Sequence, residues 1–133
     1  MSREIKFRAW DKKEHVMEVP IAIGFDDSGK IDSVSTYKYL WGDKLLLEQF
    51  TGLKDKNGKD IYEGDILAWH SNVYRKHDWV GLVLYRGAGF AVQESDKSYS
   101  SPEWLDCACR KDANIIEVIG NIHENPDLLE VDK

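Results

Sequence analysis

Polar and apolar residues alternate along Glu4-Ile5-Lys6-Phe7-Arg8-Ala9-Trp10, which predicts a half-buried strand with Ile5, Phe7 and Ala9 on one face. The polar turn Asp11-Lys12-Lys13-Glu14 leads into residues 15–19, which read as the returning strand of an N-terminal hairpin. Pro20 ends regular pairing there or marks an edge. A short apolar run, residues 21–25, precedes the turn cluster Asp26-Asp27-Ser28-Gly29-Lys30, and residues 31–37 read as another strand. Residues 39–44 read as a loop.

Residues 45–53 have a composition compatible with a helix. The Asn57-Gly58 pair that follows is the strongest short hairpin signal, because both positions tolerate positive φ, and it makes this segment a strand. Ile61-Tyr62 starts the return, Glu63-Gly64-Asp65 is a tight turn, and residues 66–69 form a short apolar strand. Residues 71–78 are a polar loop. Residues 79–85 are apolar at nearly every position, which predicts a central strand buried on both faces. Arg86-Gly87-Ala88-Gly89 turns the chain and residues 90–93 pair back. Ser100-Ser101-Pro102-Glu103 predicts a helix start, a Ser cap with Pro at the first helical position, and a short helix from Pro102 to about Arg110. Residues 115–119 read as a strand, and Asn125-Pro126-Asp127 caps a last helical turn through Glu130.

Strands dominate and turns recur about every ten residues. The expected fold is mostly β with minor α: an antiparallel meander or small SH3-like barrel with an N-terminal hairpin and one or two short helices. With 133 residues and no long linker or internal repeat, a single domain over residues 1–133 is expected.

Composition narrows the function classes. The net charge is −6 and the acidity is spread over both halves, so a phosphate backbone is repelled on average. No apolar run approaches the roughly 18 residues a membrane helix needs, and the N-terminus lacks a basic-then-apolar signal region, so a cytoplasmic protein is expected. Cys107 and Cys109 are one residue apart; a bridge would close a strained ring, and free thiols suit a reducing compartment.

Three stretches are then familiar together. They are Arg3-Glu4-Ile5-Lys6-Phe7-Arg8-Ala9-Trp10-Asp11, then the run from Gln49-Phe50-Thr51-Gly52-Leu53-Lys54 through Asp55-Lys56-Asn57-Gly58-Lys59-Asp60 to Ile61-Tyr62-Glu63-Gly64-Asp65-Ile66, and finally Val118-Ile119-Gly120-Asn121-Ile122-His123-Glu124-Asn125-Pro126-Asp127-Leu128-Leu129. In this order and spacing the chain resembles the YopX family over nearly its whole length. The resemblance implies an origin in bacterial phages or prophages, residence in the bacterial host cytoplasm, and a small, mostly β protein. It carries over no catalytic or binding residue, and residues 70–111 match none of its motifs.

Candidate chemistry is sparse. Cys107 and Cys109 lack the second ligand pair a structural zinc site uses, with His70 or His123 left to complete a shell. Glu63 and Asp65 would share a strand face as an acid and base, but Gly64 between them favours a turn. His70, His77 and Cys107 have no nucleophile signature around them, and Gly87-Ala88-Gly89 stands between strands rather than before a helix, unlike a phosphate loop. The reading is therefore a protein that is not an enzyme, with no cofactor and no metal. Asn57, Gly58, Gly64 and Asp65 are read as structural turn residues.

The aromatic supply is large, five Trp and six Tyr, more than a small interior accepts. Trp10, Trp69 and Trp79 lie in or beside strands and should be core. Tyr74, Arg75, Lys76, Trp79 and Tyr85 form the candidate interaction surface. The favoured partners are a second copy of the chain, as a homo-oligomer, or a host or phage protein met at an open strand edge. The alternative is a nucleic acid held by Arg75, Lys76 and the neighbouring aromatics. No membrane partner is expected.

Overall fold

A computed structural model describes residues 4–37, 45–69, 79–94, 97–110 and 115–129. Strand accounts for 54% and helix for 11% of them, so the chain is mostly β as expected. It divides into two compact units, one of Glu4–Gln49 and one running on from Phe50.

The N-terminal unit contains β1 (Phe7–Asp11), β2 (Val16–Glu18), β3 (Ala22–Phe25), β4 (Ile31–Ser35) and the first half of β5 (Leu45–Lys54). β1 pairs antiparallel with β2 on one side and β5 on the other, with Arg8 directly opposite Glu48. β3 and β4 make a separate two-stranded ladder. The predicted N-terminal hairpin is present, and Asp11 closes it. Its buried carboxylate accepts the backbone N–H groups of Lys13 and Glu14, both at 2.9 Å, while its carbonyl accepts the N–H of His15 at 2.8 Å. The predicted alternation holds only in part. Ile5 precedes the strand and is exposed, and Trp10 and Asp11 are buried beside Ala9, because β1 has a strand on each side and is covered at its end on both faces. Among the described residues the hydrophobic cluster here joins Ala9, Val34 and Leu45, with Leu47 packed against it.

In the C-terminal unit the second half of β5 pairs with β6 (Asp60–Tyr62). Their register shifts between Phe50 and Lys54, and Thr51 bridges the irregularity: its hydroxyl donates to the Ile61 carbonyl at 2.7 Å and accepts the Leu53 N–H at 3.1 Å. A five-stranded antiparallel sheet follows, built of β7 (Asp65–Trp69), β8 (Trp79–Arg86), β9 (Gly89–Glu94), β10 (Tyr99–Ser100) and β11 (Glu117–Asn121), in the order β10-β9-β8-β7-β11. Four consecutive strands are therefore a meander, and the last strand returns to pair with β7.

The helix α1 (Pro102–Ala108) starts as the sequence predicts, with Ser101 as cap, its hydroxyl accepting the Trp104 N–H at 3.1 Å, and Pro102 in the first turn. It ends two residues before Arg110. α1 packs on β9 and buries Leu105 and Ala108. A 3-10 turn, Pro126–Leu129, lies against β8. The core of this unit joins Ile61, Leu67, Trp69, Val83, Val92, Leu105, Ala108 and Ile116.

Two expectations are corrected. β8 is central but buried on one face only: Gly81 and Val83 are buried, whereas Val80, Leu82 and Leu84 on the other face are half-buried. The last strand is Glu117–Asn121 rather than residues 115–119; Ile116 is fully buried but precedes it, so burial and strand pairing do not coincide there. β10 carried no sequence signal. The loops expected at residues 39–44 and 71–78 lie outside the described residues.

Candidate functional site

The residues of the sequence motifs act first as turn geometry. Four turns open on an Asp or Asn whose side-chain oxygen accepts two backbone N–H groups a few residues on: Asp11, Asp26, Asp55 and Asn121. Asp55 is buried and accepts from Asn57 at 2.8 Å and Lys59 at 2.9 Å through one oxygen and from Val118 at 3.0 Å through the other. Gly58 takes φ +83° in that turn and Gly64 takes φ +90° in the next. The buried Asp65 carboxylate accepts the Tyr62 N–H at 2.8 Å. Gly64 donates to the Val83 carbonyl and accepts from the Ile122 N–H, both at 2.8 Å. The middle and last motifs are thus joined through Asp55, Gly64 and the β7–β11 ladder, in which Asn121 faces Asp65.

The candidate interaction surface is distributed differently. Tyr74, Arg75 and Lys76, like His70 and His77, lie outside the described residues. Trp79 and Tyr85 stand at opposite ends of β8, about 20 Å apart by strand rise. Trp79 packs against the core, while Tyr85 is exposed and meets Phe90 edge to face, centroids 5.3 Å apart.

Cys107 is exposed on α1 and Cys109 half-buried just past it. Burial, then the negative charges of Asp106 and Asp55, push the Cys109 thiol up to about 11. Arg110 pairs with Asp106 at 2.9 Å, one helical turn back, and the hydrogen bond and charge of that carboxylate hold its guanidinium above its ordinary range.

Two clefts adjoin β10. The first, about 180 Å³, is lined by Trp69, Trp79, Glu94, Ser100 and Trp104. Trp69 and Trp104 meet with ring centroids 5.1 Å apart and planes inclined at 56°. The register explains the assembly: Trp69 pairs with Trp79, Gly81 pairs with Glu94, and Ser100 pairs with Val92, so these side chains share the core-facing side of the sheet. Glu94 Oε2 accepts the Ser100 hydroxyl at 3.2 Å. The second cleft, about 200 Å³, is lined by Arg86, Ala91, Tyr99, Ser100, Ser101 and Pro102, with the Arg86 guanidinium 4.0 Å over the Tyr99 ring. Sequence reasoning missed Glu94, Ser100 and Trp104. Glu94 ends an apolar strand and Trp104 stands in the first turn of a capped helix, but strand register, not a local pattern, brings them together.

The comparisons fit this architecture. No curated protein matches the chain. A crystal structure of protein EF1440 from Enterococcus faecalis is similar at 30% identity and a TM-score of 0.66, over 96% of this chain and 99% of that one. The crystal structure of protein yopX from Bacillus subtilis has the same fold, at 22% identity and a TM-score of 0.60, over 99% of this chain and 100% of that one. Among the described residues no helix is long and apolar enough to cross a membrane. The YopX protein family model matches residues 6–130, and the chain belongs to the YopX family.

Proposed function

We propose that this chain is a non-enzymatic phage or prophage accessory protein of the bacterial cytoplasm, acting as a protein-binding or self-associating β module. One observation carries the reading. Among its described residues, the N-terminal unit has a hydrophobic cluster of three buried side chains, yet it leaves Val19 75% and Phe25 61% exposed, with Ile21, Ile31, Leu46 and Tyr37 exposed as well. Single exposed apolar residues are ordinary, but so many on a unit with so small a core favour an interface. Burying one such side chain contributes roughly 1.5–3 kcal/mol, so covering four of them outweighs a modest cost of association. Three of the six, Ile21, Phe25 and Ile31, lie in or beside the β3–β4 ladder, which has two strands among the described residues, and an isolated two-stranded ladder is marginal in water. Its open edges can take a further strand.

The test is light scattering over a concentration series, with a pull-down of tagged protein from phage-infected host lysate. The wild type is expected to self-associate or retain a partner, and the double variant V19E/F25E to lose that association while keeping its β circular dichroism. A monomer that retains nothing, or association indifferent to the two substitutions, sinks the reading.

A further inference from the structure

We propose that the cleft among Trp69, Trp79 and Trp104 binds the head group of a methylated ammonium ion, with the Glu94 carboxylate as its counter-ion. The proposal goes beyond the association reading, which rests on residues of the other unit.

Strand register puts Glu94 on the same side of the sheet as Val83 and Val92, the fully buried heart of the core. A carboxylate at a position the alternation reserves for an apolar side chain is a local rule broken, and such breaks concentrate at functional sites. Packing accounts for Trp69, which is buried, and for the way Trp104 leans on it from α1. It gives no reason for a carboxylate among three indoles. Cation binding does: indole faces carry negative potential, Trp is the strongest of the aromatic side chains in attracting a cation, and a carboxylate supplies the opposite charge. The Ser100 hydroxyl, donating to Glu94 Oε2, fixes the carboxylate at the cleft wall. The chain's net charge of −6 draws cations toward it.

Shape selects the class of cation. The cleft holds about 180 Å³, below the roughly 300–1,000 Å³ of pockets that enclose whole metabolites, so it accepts a head group and not a nucleotide or a sugar. A flat guanidinium prefers to lie over one ring, as Arg86 lies over Tyr99 at 4.0 Å in this molecule. Walls inclined at 56° make a corner, which suits a rounded tetrahedral group such as trimethylammonium. Gly81, across the ladder from Glu94, lets Val92 and Trp69 pack against the bare backbone beside the cleft, since an added Cβ there would run into Val92.

The experiment uses the full chain and follows tryptophan fluorescence and the indole N–H resonances at constant ionic strength. The probes are tetramethylammonium, choline, a peptide containing trimethyllysine, and 3,3-dimethylbutan-1-ol, the neutral isostere of choline. The expected result is saturable binding of the cations at least about tenfold tighter than of the neutral alcohol, with the indole signals of the cleft moving. E94Q should weaken cation binding about fivefold or more and leave the neutral probe unchanged, and W104F should weaken it less than W104L. Tighter binding of the peptide than of choline assigns the head group to a protein side chain, and the reverse order assigns it to a free small molecule. Equal affinity for choline and its neutral isostere, no saturable change with any cation, or an E94Q variant that binds cations as the wild type does overturns the proposal. Urea unfolding of each variant shows that a loss of binding is not a loss of fold.

Discussion

The Asp55 carboxylate accepts the backbone N–H of Val118 at 3.0 Å across 63 residues of chain, while its other oxygen closes the turn at Asn57-Gly58. One buried side chain thus shapes a hairpin and docks the last strand on it. Asp55→Ala leaves three N–H groups without their acceptor and should cost about 3–5 kcal/mol, since each buried unsatisfied group costs roughly 1–3 kcal/mol and the turn can relax. Asp55→Asn keeps an acceptor for the turn but turns a donor toward Val118, and should cost about half as much. Urea unfolding measures both, and an Asn variant as stable as the wild type would contradict this role.

Gly64 joins three segments while holding φ +90°. A side chain in that region is strained by roughly 1–2 kcal/mol. Gly64→Ala should lower the unfolding free energy by at least about 1 kcal/mol, and hydrogen exchange should quicken at Ile122, whose N–H donates to the Gly64 carbonyl. Unchanged protection at Ile122 would show that the turn tolerates the substitution.

Arg8 and Glu48 face each other across the β1–β5 ladder, Nε to Oε1 at 2.9 Å, with side chains only 15% and 7% exposed. Neutralising one partner removes a charge-assisted hydrogen bond from a site with little water, so Glu48→Gln should cost about 1–3 kcal/mol. The double change Arg8→Met with Glu48→Leu should recover most of that loss, because a packed apolar pair avoids the desolvation of two charges. A double-mutant cycle reads the coupling, and additive losses would deny it.

How much of this was legible depends on the range of the cause. The hairpins closed at Asp11 and at Asn57-Gly58, and the Ser101-Pro102 helix start, are set by residues within a few positions of each other, and the sequence reading found them. The one-sided burial of β8 was not legible, because its apolar outer residues Val80, Leu82 and Leu84 satisfy the pattern of a strand buried on both faces. Whether such a face is covered depends on distant chain, and covering it is not written into the strand. β10 is two residues long and too short for any periodicity. The tryptophan cleft was out of reach for the same reason: placing Glu94 beside Trp69 and Trp79 requires the pairing of Gly81 with Glu94, and register is a relation between strands.

The two cysteines should behave as chemically distinct thiols. The thiolate is the reactive form, and Cys109 is pushed up from 9.0 to about 11, first by burial and then by Asp106 and Asp55. Cys107, one residue away in the sequence from Ala108, is exposed. A disulfide-exchange reagent near pH 8 should therefore titrate one thiol quickly and the second much more slowly, and Cys107→Ser should abolish the fast phase. The same shift fixes the alkaline behaviour of the fold. Because the folded state holds the Cys109 proton more tightly than the unfolded chain, its contribution to stability is fully present below about pH 9.0 and is lost as pH rises through about 11. Cys109→Ala should flatten that alkaline loss, and Cys107→Ser should not. Equal reaction rates for the two thiols, or an alkaline limb unchanged by Cys109→Ala, would show that the Cys109 thiol lies open to water.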